Sequence, residues 1–433
     1  MKKGFISTAI ESLDPKEIEH LAIESGFQIR APRKIKPYDL LHLYCLESIN
    51  AAPSFNDIAG ALNDSNGEAP SRQAVGKRIN KQFTEFLQKI LARIMEENIN
   101  KKAGFSANFS RVIVQDSTII KLPSRLFEEF SGVSNAHAKV CNARIQGSYD
   151  LVEKRFIDFA IDPYSKNDLD AASDLEIREG DLILRDRGYQ KMDEIRRERN
   201  SKAFSIHRHQ MNRFYRSPLT DELIDLAKEL KKNGFIDMNV CLNDKERTPV
   251  RLVTAPVDEQ TANTRRRKIK KEIKGHNPSK KLLFLMSWTI FITNLARDKF
   301  TFKDILNLYG LRWRIESIFK TWKSNMSFTL IHNVSSHQLR AMIIARLITI
   351  VITMHCVYAP CSKYIARTTN SYLSIMKLMR YIQIKKERLL SLLSSIAKGI
   401  EESVPVLQRY CTYDKRMRCN FAQMEEQILN YVT

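Results

Sequence analysis

The sequence predicts an α/β protein with a mixed, helix-flanked sheet in the middle of the chain and helical regions at both ends. Short apolar runs follow one another between residues 111 and 207, and such runs are typical of buried strands. Polar, helix-like segments lie between some of these runs, which favours strands joined by helical crossovers. Helical patterns dominate before residue 100 and after residue 301.

The apolar and polar runs define the elements of the sheet region. Strands are predicted at residues 112–114, 143–149, 156–161, 182–184 and 203–206, and helices at residues 166–179 and 190–200. Further strands are predicted at residues 238–242 and 250–254, within a β-rich insertion. The basic run 265–274 is expected to be a solvated loop, with a phosphate-tracking loop as the alternative. The apolar stretch 282–295 is expected to end as a buried strand.

Changes of pattern divide the chain into successive regions. They are a helical region (1–105), the first part of the sheet region (106–207), the β-rich insertion (208–281), the second part of the sheet region (282–345) and a helical C-terminal region (346–433).

The charge balance favours a nucleic acid as partner. Of 433 residues, 70 are Lys or Arg and 49 are Asp or Glu, which gives a net charge of +21 and a pI near 9.6. A basic surface attracts a polyphosphate more strongly than a small neutral substrate. Charge alone leaves open a protein that is merely soluble or attracted to membranes.

The cysteines and apolar stretches predict a cytoplasmic protein. The seven cysteines are scattered without a CxxC pair, so neither a zinc knuckle nor a disulfide framework is predicted. The N-terminus carries no continuous apolar leader, and the apolar stretch 347–358 is too short to cross a bilayer. We therefore expect reduced thiols and no membrane insertion.

Two segments near the N-terminus resemble a helix-turn-helix. A first helix from Ser54 would pack Phe55, Ile58 and Leu62, and a second would begin near Ser71. The side chains of the second helix expected to reach bases or phosphates are Arg72, Gln73, Lys77 and Arg78. The alternative is a small helical bundle with a solvated basic face.

Two aspartates are predicted at the ends of strands. Asp116 follows the run Val-Ile-Val-Gln, and Asp186 follows Leu-Ile-Leu-Arg. Ligands collect at the carboxyl edge of open α/β sheets, and Gly188 would provide the backbone freedom for a sharp turn after the second strand. Either aspartate alone could simply start a turn.

One helical face carries an acid among bases. At helical spacing Tyr309, Arg312, Glu316, Lys320 and Lys323 form one stripe. The apolar residues on the opposite side, which would pack against the sheet, are Leu308, Leu311, Ile315, Phe319 and Trp322. The alternative is an ordinary amphipathic helix with ion pairs from Glu316 to Arg312 and Lys320.

Together these residues resemble a known family, the bacterial insertion-sequence transposases with an Asp-Asp-Glu site and a Tyr-Arg-Glu-Lys signature, of the insertion-sequence-four type. Tyr309, Arg312, Glu316 and Lys323 reproduce every gap of that signature. The neighbours Trp313, Arg314, Ile315 and Trp322 are also similar to family residues. Asp116-Ser-Thr and Asp186-x-Gly-Tyr resemble the first and second acidic motifs, and the resemblance covers residues 111–332.

The resemblance implies a ribonuclease-H-like core interrupted by the β-rich insertion, with Asp116, Asp186 and Glu316 as the catalytic acids. Three carboxylates without a histidine cluster favour two Mg²⁺ or Mn²⁺ ions, with Asp116 bridging them. Two cations roughly 3.5–4 Å apart stabilise the attacking and leaving oxygens of phosphoryl transfer.

The remaining signature residues are expected to bind DNA. Arg312, Lys320 and Lys323 would orient phosphates, and Tyr309 would donate a hydrogen bond to one. By resemblance Trp288 would stack on a flipped base at a hairpin stage, although a tryptophan within an apolar run is equally well explained as core.

The resemblance further implies cut-and-paste transposition in the bacterial cytoplasm, at the nucleoid. The implied partners are the terminal inverted repeats, the target DNA and a second copy of the chain in a synaptic dimer, for which the C-terminal region is the candidate interface. Two other functions stay open: a structure-selective nuclease on the same fold, and a domesticated protein that binds DNA without cutting it.

Overall fold

The computed structural model of the chain describes residues 5–49, 52–67, 69–99, 108–132, 140–166, 175–211, 213–273, 277–331, 334–414 and 419–431. The chain divides into two compact units. The first comprises Met1–Gly104, Ser117–Lys166 and Arg314–Glu426, and the second comprises Phe105–Asp116, Asn167–Trp313 and Gln427–Thr433.

The strands form a mixed sheet whose first strand is shared by both units. Their bounds are β1 Arg111–Lys121, β2 Asn142–Asp150, β3 Arg155–Pro163, β4 Asp181–Arg185, β5 Phe204–Arg208, β6 Tyr215–Arg216, β7 Asp237–Leu242, β8 Pro249–Pro256 and β9 Trp288–Thr293. The order is β3-β2-β1 in the first unit and β1-β4-β5-β9-β8-β7-β6 in the second. The neighbours β1, β4 and β5 are parallel, whereas β9, β8, β7 and β6 pair antiparallel.

Helices make up the rest of both units. In chain order they are α1 Phe5–Ala9, α2 Pro15–Glu24, α3 Pro37–Glu47, α4 Phe55–Asn66, α5 Arg72–Arg78, α6 Lys81–Ile99, α7 Met192–Asn200, α8 Leu226–Asn233, α9 Glu259–Glu272, α10 Lys280–Leu285, α11 Phe302–Gly310, α12 Trp313–Asn325, α13 Ser336–Ile352, α14 Ala359–Thr369, α15 Ile375–Ile384, α16 Glu387–Lys398, α17 Val404–Cys411 and α18 Phe421–Tyr431.

The mixed α/β class is confirmed, and every predicted strand of the sheet region is present as β1 to β5. The helix predicted at residues 190–200 is present as α7. Of the helix predicted at residues 166–179, residues 167–174 lie outside the described part of the chain, and residues 175–179 are not helical.

The described part of the segment predicted to be a β-rich insertion contains more helix, in α8 and α9, than strand, in β6, β7 and β8. Its strands β7 and β8 are present as expected and extend the sheet of the second unit, since β8 pairs with β9 and β7 pairs with β8. The basic run predicted to be a loop belongs to helix α9 as far as Glu272, and Lys274 lies outside the described residues. The loop prediction was wrong because Asp258 caps the helix, accepting a hydrogen bond from the Thr261 backbone N–H, and long basic side chains have good helix propensity. Of the apolar stretch 282–295, residues 288–293 form strand β9, as predicted, whereas residues 282–285 belong to helix α10, which was not predicted.

The stretch expected to be one helix from Thr301 onward is two helices, α11 and α12. Thr301 caps α11 through the expected capping box with Asp304. The break falls at Leu311 and Arg312, just after Gly310, a residue with low helix propensity. Only Glu316, Lys320 and Lys323 therefore share one face of an unbroken helix.

Part of the core of the first unit lies between strand β3 and helix α12. Trp322 is fully buried, and its ring centroid lies 5.0 Å from that of Phe156 and 5.9 Å from that of Phe159. The apolar residues of the predicted inner stripe, from Leu308 to Trp322, are all buried. In the described part of the chain, one continuous helical stretch, Ser336–Thr369, is long and apolar enough to cross a membrane, but 94% of its most apolar window is buried within the protein. It is a core helix.

Candidate active site

Two aspartates lie side by side on neighbouring parallel strands of the second unit. Gln115 of β1 is the register partner of Arg185 of β4, and each is followed directly by one aspartate. Neighbouring strands are about 4.8 Å apart, so the Cα atoms of Asp116 and Asp186 are expected at about that separation. Because both aspartates directly follow a register pair and Asp186 keeps an extended backbone, their side chains are expected on the same face, where carboxylates are suited to a divalent cation.

Two details of the aspartate strands differ from the prediction. Asp116 lies within β1, which continues to Lys121, although its pairing with β4 stops one residue earlier. Asp186 does follow the end of β4, with an extended backbone (φ −73°, ψ 165°). The chain then enters a single 3-10 turn, and Gly188 is not among the described glycines with positive φ. A 3-10 turn uses ordinary negative φ values, so the turn does not need the freedom expected of Gly188.

Arg312 and Tyr309 lie beside the two aspartates. The Arg312 Nη1 atom is 3.8 Å from the Asp116 Oδ2 atom, and the Arg312 side chain is almost fully buried. The Tyr309 hydroxyl donates a 3.4 Å hydrogen bond to the Arg185 carbonyl oxygen. Burial raises the pKa of Tyr309, and Arg312 opposes this effect. The phenol is therefore neutral at pH 7 and can donate a hydrogen bond.

Two arginines that the sequence analysis missed complete the cationic surroundings. Arg208 is the last residue of β5, and Arg187 directly follows Asp186. Burial lowers the pKa of Arg208, as does repulsion from Arg187, whereas Asp186 opposes the decrease. Within the part of the chain that the structure describes, neither guanidinium forms an ion pair or a side-chain hydrogen bond. A half-buried arginine without a carboxylate is suited to bind an anion.

A pocket of about 80 Å³ opens next to these arginines. Its lining includes Arg187, Arg208, His209, Arg265 and Trp288. Burial, together with the charges of Arg208 and Arg187, lowers the pKa of Arg265 to about 10. Burial also lowers the pKa of His209 to about 4, so that its imidazole is neutral and the arginines supply the positive charge.

Trp288 is half-buried at this pocket and belongs partly to the core. Its ring packs against a hydrophobic cluster that includes Leu285 and Ile290. Its carbonyl oxygen accepts a 2.9 Å hydrogen bond from Arg265 Nη1. Trp288 therefore serves as a core residue with part of its ring at the pocket surface.

The third predicted acid, Glu316, lies in the first turn of α12 and belongs to the first unit. Glu316 is half-exposed, and Lys320, which follows one turn later, is exposed. Burial lowers the pKa of Lys323. Among the described residues neither lysine has an ion-pair partner, so the Glu316–Lys320 pair of the amphipathic-helix alternative is not formed. The described residues also contain no group of three His, Cys, Asp or Glu side chains close enough to hold a metal ion, so Glu316 as a ligand remains a prediction.

The helix-turn-helix segments are present as α4 and α5 in the first unit. Ser54 and Asp57 form a capping box at the start of α4, and Gly67 ends it with a left-handed backbone (φ 73°). Of the predicted packing residues, Ile58 and Leu62 are fully buried and Phe55 is half-buried. Ser71 caps α5 by accepting a hydrogen bond from the Ala74 backbone N–H.

The four predicted DNA-contacting residues of α5 differ in their surroundings. Arg72, Gln73 and Lys77 are exposed. Arg78 instead lies over the Phe27 ring, 4.0 Å from its centroid, and donates a 2.9 Å hydrogen bond to the Phe27 carbonyl oxygen. Arg78 therefore holds α5 against the loop between α2 and α3.

A broad groove of about 1140 Å³ separates α5 from that loop. Its cations are Arg30, Arg33, Lys34, Lys77 and Arg78, and none of the described residues that line it is acidic. In the described part of the chain the first four form no ion pair or side-chain hydrogen bond. The groove is therefore a positively charged surface without internal compensation.

Comparison with known proteins supports what these residues suggest. Residues 107–352, more than half of the chain, match the family model described as "Transposase DDE domain". The transposase for insertion sequence element IS231B of Bacillus thuringiensis subsp. berliner is 25% identical over 78% of this chain and 77% of its own length. The corresponding IS231D protein of Bacillus thuringiensis subsp. finitimus is 25% identical over 93% and 89%. The IS1151 transposase of Clostridium perfringens is 25% identical over 82% and 81%.

One solved structure, a piggyBac transposase synaptic complex with hairpin DNA, aligns over 98% of this chain and 88% of that chain, with 11% identity and a TM-score of 0.43. The family match covers more than half of the residues, and this chain therefore belongs to the proteins with a transposase DDE domain and is a DNA transposase.

Proposed function

We propose that this transposase is of the Tyr-Arg-Glu-Lys, insertion-sequence-four type, with a ribonuclease-H-like core. It cleaves the ends of its element and joins them to target DNA with Asp116, Asp186 and Glu316 as the catalytic acids. The observation that carries the proposal is the pair of aspartates on adjacent strands, because two carboxylates at one sheet position are suited to a divalent cation. Glu316 is proposed as the third acid because the spacing of the signature residues matches that of the family.

The donors present fit Mg²⁺ or Mn²⁺. Asp116 and Asp186 supply carboxylate oxygens, which these hard cations prefer, and two ions would be held by the two aspartates together with Glu316. When bound, the ions would stabilise charge on the attacking and leaving oxygens. Arg312 is 3.8 Å from Asp116 and nearly buried, so it can neutralise a phosphate next to the carboxylates.

The other signature residues position DNA phosphates. Lys320 and Lys323 lack ion-pair partners among the described residues, so their charges are available to the backbone of the substrate. Tyr309, a neutral phenol, would exchange its long hydrogen bond to the Arg185 carbonyl for one to a phosphate oxygen.

Trp288 would stack on a base extruded at a hairpin stage. Support comes from its position at the arginine-lined pocket, where a base could contact the ring while its phosphate contacts the guanidinium groups. The hairpin itself rests on the resemblance alone.

The N-terminal region would bind the terminal inverted repeat, with Arg72, Gln73 and Lys77 of α5 at the DNA. Support comes from the exposure of these side chains and from the uncompensated cations of the neighbouring groove. Arg78 would act indirectly, by holding α5 in place. We further propose a homodimer in the synaptic complex, with the C-terminal region as the interface, and a location at the bacterial nucleoid in the cytoplasm.

A strand-transfer assay tests the proposed function. Purified protein is incubated with a precut element end, plasmid DNA and Mg²⁺, and insertion products are counted. We expect insertion by the wild type, and none by Asp116→Asn, Asp186→Asn or Glu316→Gln, because each change removes a cation ligand. Asp193→Asn is the matched control, since its carboxylate is exposed on α7 of the same unit.

The alternatives give different outcomes in the same assay. A structure-selective nuclease would cut the plasmid or a branched DNA without inserting the end. A domesticated protein would bind the end, and its Asp116→Asn variant would behave as the wild type. Either result would contradict the proposal.

A further inference from the structure

On each of three parallel strands, a buried polar residue directly precedes a site residue. These buried polar residues form a row across the sheet. Gln115 and Arg185 are register partners on β1 and β4. On β4 and β5 the last register partners are Leu184 and Ile206, so Arg185 and His207 are next to each other. Successive side chains of a strand alternate between faces. The row therefore lies on the face opposite to Asp116, Asp186 and Arg208.

Helix α7 ties this row together through two carboxylates one turn apart. Arg185 donates from Nε to Gln115 Oε1 (2.7 Å), and from Nη1 to Glu198 Oε1 (2.9 Å) and Glu194 Oε2 (3.3 Å). Glu198 Oε2 shares a 2.7 Å hydrogen bond with His207 Nε2. These five residues, here called the Arg185 cluster, are all at most 5% exposed. One helix thereby holds the ends of three strands.

Stability alone does not explain such a cluster. The desolvation cost of a buried ion pair is only just repaid by its attraction, and apolar residues of similar size often stabilise as well or better. What hydrogen bonds add is a fixed geometry, since Arg185 can satisfy its partners only when the three strands keep their present register. The residues whose positions depend on this register are the two aspartates and Arg208.

We propose that the Arg185 cluster positions Asp116 and Asp186 and thereby sets the affinity of the site for a divalent cation. Hydrogen bonds behind metal-binding residues orient them, and their loss costs roughly 10–100-fold in metal affinity or activity. The cluster residues contact no substrate and act through the aspartates. The inference rests on the proposed function, in which the aspartates are cation ligands.

Binding of Mn²⁺ to the DNA-free protein, measured from the electron paramagnetic resonance signal of free Mn²⁺, tests this inference. We expect Glu198→Gln to weaken Mn²⁺ binding roughly 10–100-fold. The matched control is Asp237→Asn, which breaks the buried Asp237–Arg251 pair (2.8 Å) between β7 and β8 of the same unit and should leave the affinity unchanged. A general loss of stability would affect both variants.

A milder pair of variants protects the test against misfolding. Gln115→Met removes the acceptor for Arg185 Nε at similar size and should weaken Mn²⁺ binding several-fold, whereas Gln115→Glu keeps an acceptor and should retain at least the wild-type affinity. Thermal unfolding curves identify the folded variants. Equal affinities for Gln115→Met and Gln115→Glu would overturn the inference.

The Mn²⁺-binding experiment distinguishes a failure of the proposed function from a failure of this inference. If Asp116→Asn and Asp186→Asn bind Mn²⁺ as the wild type does, the aspartates are not the ligands and the proposed function is wrong. If both lose Mn²⁺ while folded Glu198→Gln and Gln115→Met bind it normally, the site stands and the positioning role is wrong.

Discussion

Successive side chains of a strand point to opposite faces of the sheet, so a difference of one residue in position decides which side chains can take part in the chemistry. Asp116, Asp186 and Arg208 each directly follow a residue of the Arg185 cluster, and they lie on the other face of the sheet. Arg208 differs from most arginines of the second unit because it has no carboxylate partner in the described part of the chain. Its charge is therefore left for a ligand.

Replacing Arg208 tests this expectation. Each phosphate contact that is lost lowers the slope of log K against log salt by about 0.9. We expect Arg208→Gln to reduce the slope for binding of an element end by about that amount. Lys232→Gln, an equal charge change at an exposed residue of α8, is the control, and equal slopes in the two variants would contradict a role for Arg208.

Local sequence patterns were sufficient to find the aspartates but not Arg208. Asp116 and Asp186 each follow an apolar run, and such a run is visible in the sequence. Arg208 is one of 70 basic residues, and nothing in its neighbourhood distinguishes it. The one available signal was its position at the end of the strand predicted at residues 203–206. Its lack of a partner depends on residues far away in the chain.

Elements were predicted better than their ends. The break between α11 and α12 escaped the sequence because Leu311 keeps near-helical dihedrals (φ −62°, ψ −22°), so that the apolar spacing continues across it. Strand β1 was predicted to end at Asp116 because polar residues follow, yet it continues to Lys121. Periodicity reports which face is buried, whereas hydrogen bonding to neighbours decides where an element ends.

The part of helix α18 that belongs to the first unit, residues 421–426, is joined to the rest of that unit by a buried ionic group. Glu425 is 1% exposed; its Oε1 atom accepts a 2.9 Å hydrogen bond from Lys154 Nζ, and its Oε2 atom lies 3.1 Å from Arg314 Nε. Arg314 also donates a 2.7 Å hydrogen bond to the Tyr358 hydroxyl. Arg314 lies two residues before Glu316, so α18 holds the first turn of α12. This contact could not be predicted from the sequence, since helical spacing alone does not identify a partner helix.

Removing the Glu425 charge should destabilise the first unit. Glu425→Gln leaves two buried cations without compensation, and breaking such a pair costs about 3–5 kcal/mol. We expect urea denaturation at pH 7 to show a loss of that order. The exposed Glu402 provides the control variant, Glu402→Gln, for which no change is expected.

The same contribution should depend on pH. Burial raises the pKa of Glu425, but Lys154 and Arg314 outweigh burial and hold it below its ordinary value of 4.5. A carboxylate with a lowered folded-state pKa stabilises fully above its unfolded pKa, and this stability is lost as the pH falls further. The difference between wild type and Glu425→Gln should therefore shrink below about pH 4.5. A constant difference from pH 7 to pH 3 would contradict the assignment.

At the scale of the whole molecule, the two units are built from separated stretches of the chain. Strand β1 and helix α12 each cross from one unit to the other in sequence. Contacts such as that between Phe156 and Trp322 join residues that no local pattern relates. Patterns along a sequence can predict only contiguous regions. The boundaries of the five regions therefore remain a prediction.

The basic residues that produce the net charge of +21 differ in whether they have an acidic partner. This difference leads to a prediction about DNA binding. Lys81, Lys89 and Arg93 of α6 all have glutamate partners. The groove cations Arg30, Arg33 and Lys34 have none within the described residues. Only an uncompensated cation can displace counterions from DNA without first breaking an internal pair.

Two triple variants with the same change in net charge separate these groups. Changing Arg30, Arg33 and Lys34 to Gln should lower the salt slope for binding of an element end by up to about 2.7, since each contact contributes about 0.9. Changing Lys81, Lys89 and Arg93 to Gln should have a much smaller effect, because those cations already neutralise glutamates. The slope is measured by fluorescence anisotropy titrations between about 50 and 300 mM salt. Over this range a change in slope of about 0.9 per contact can be resolved. If both variants lower the slope equally, total charge rather than the groove governs binding.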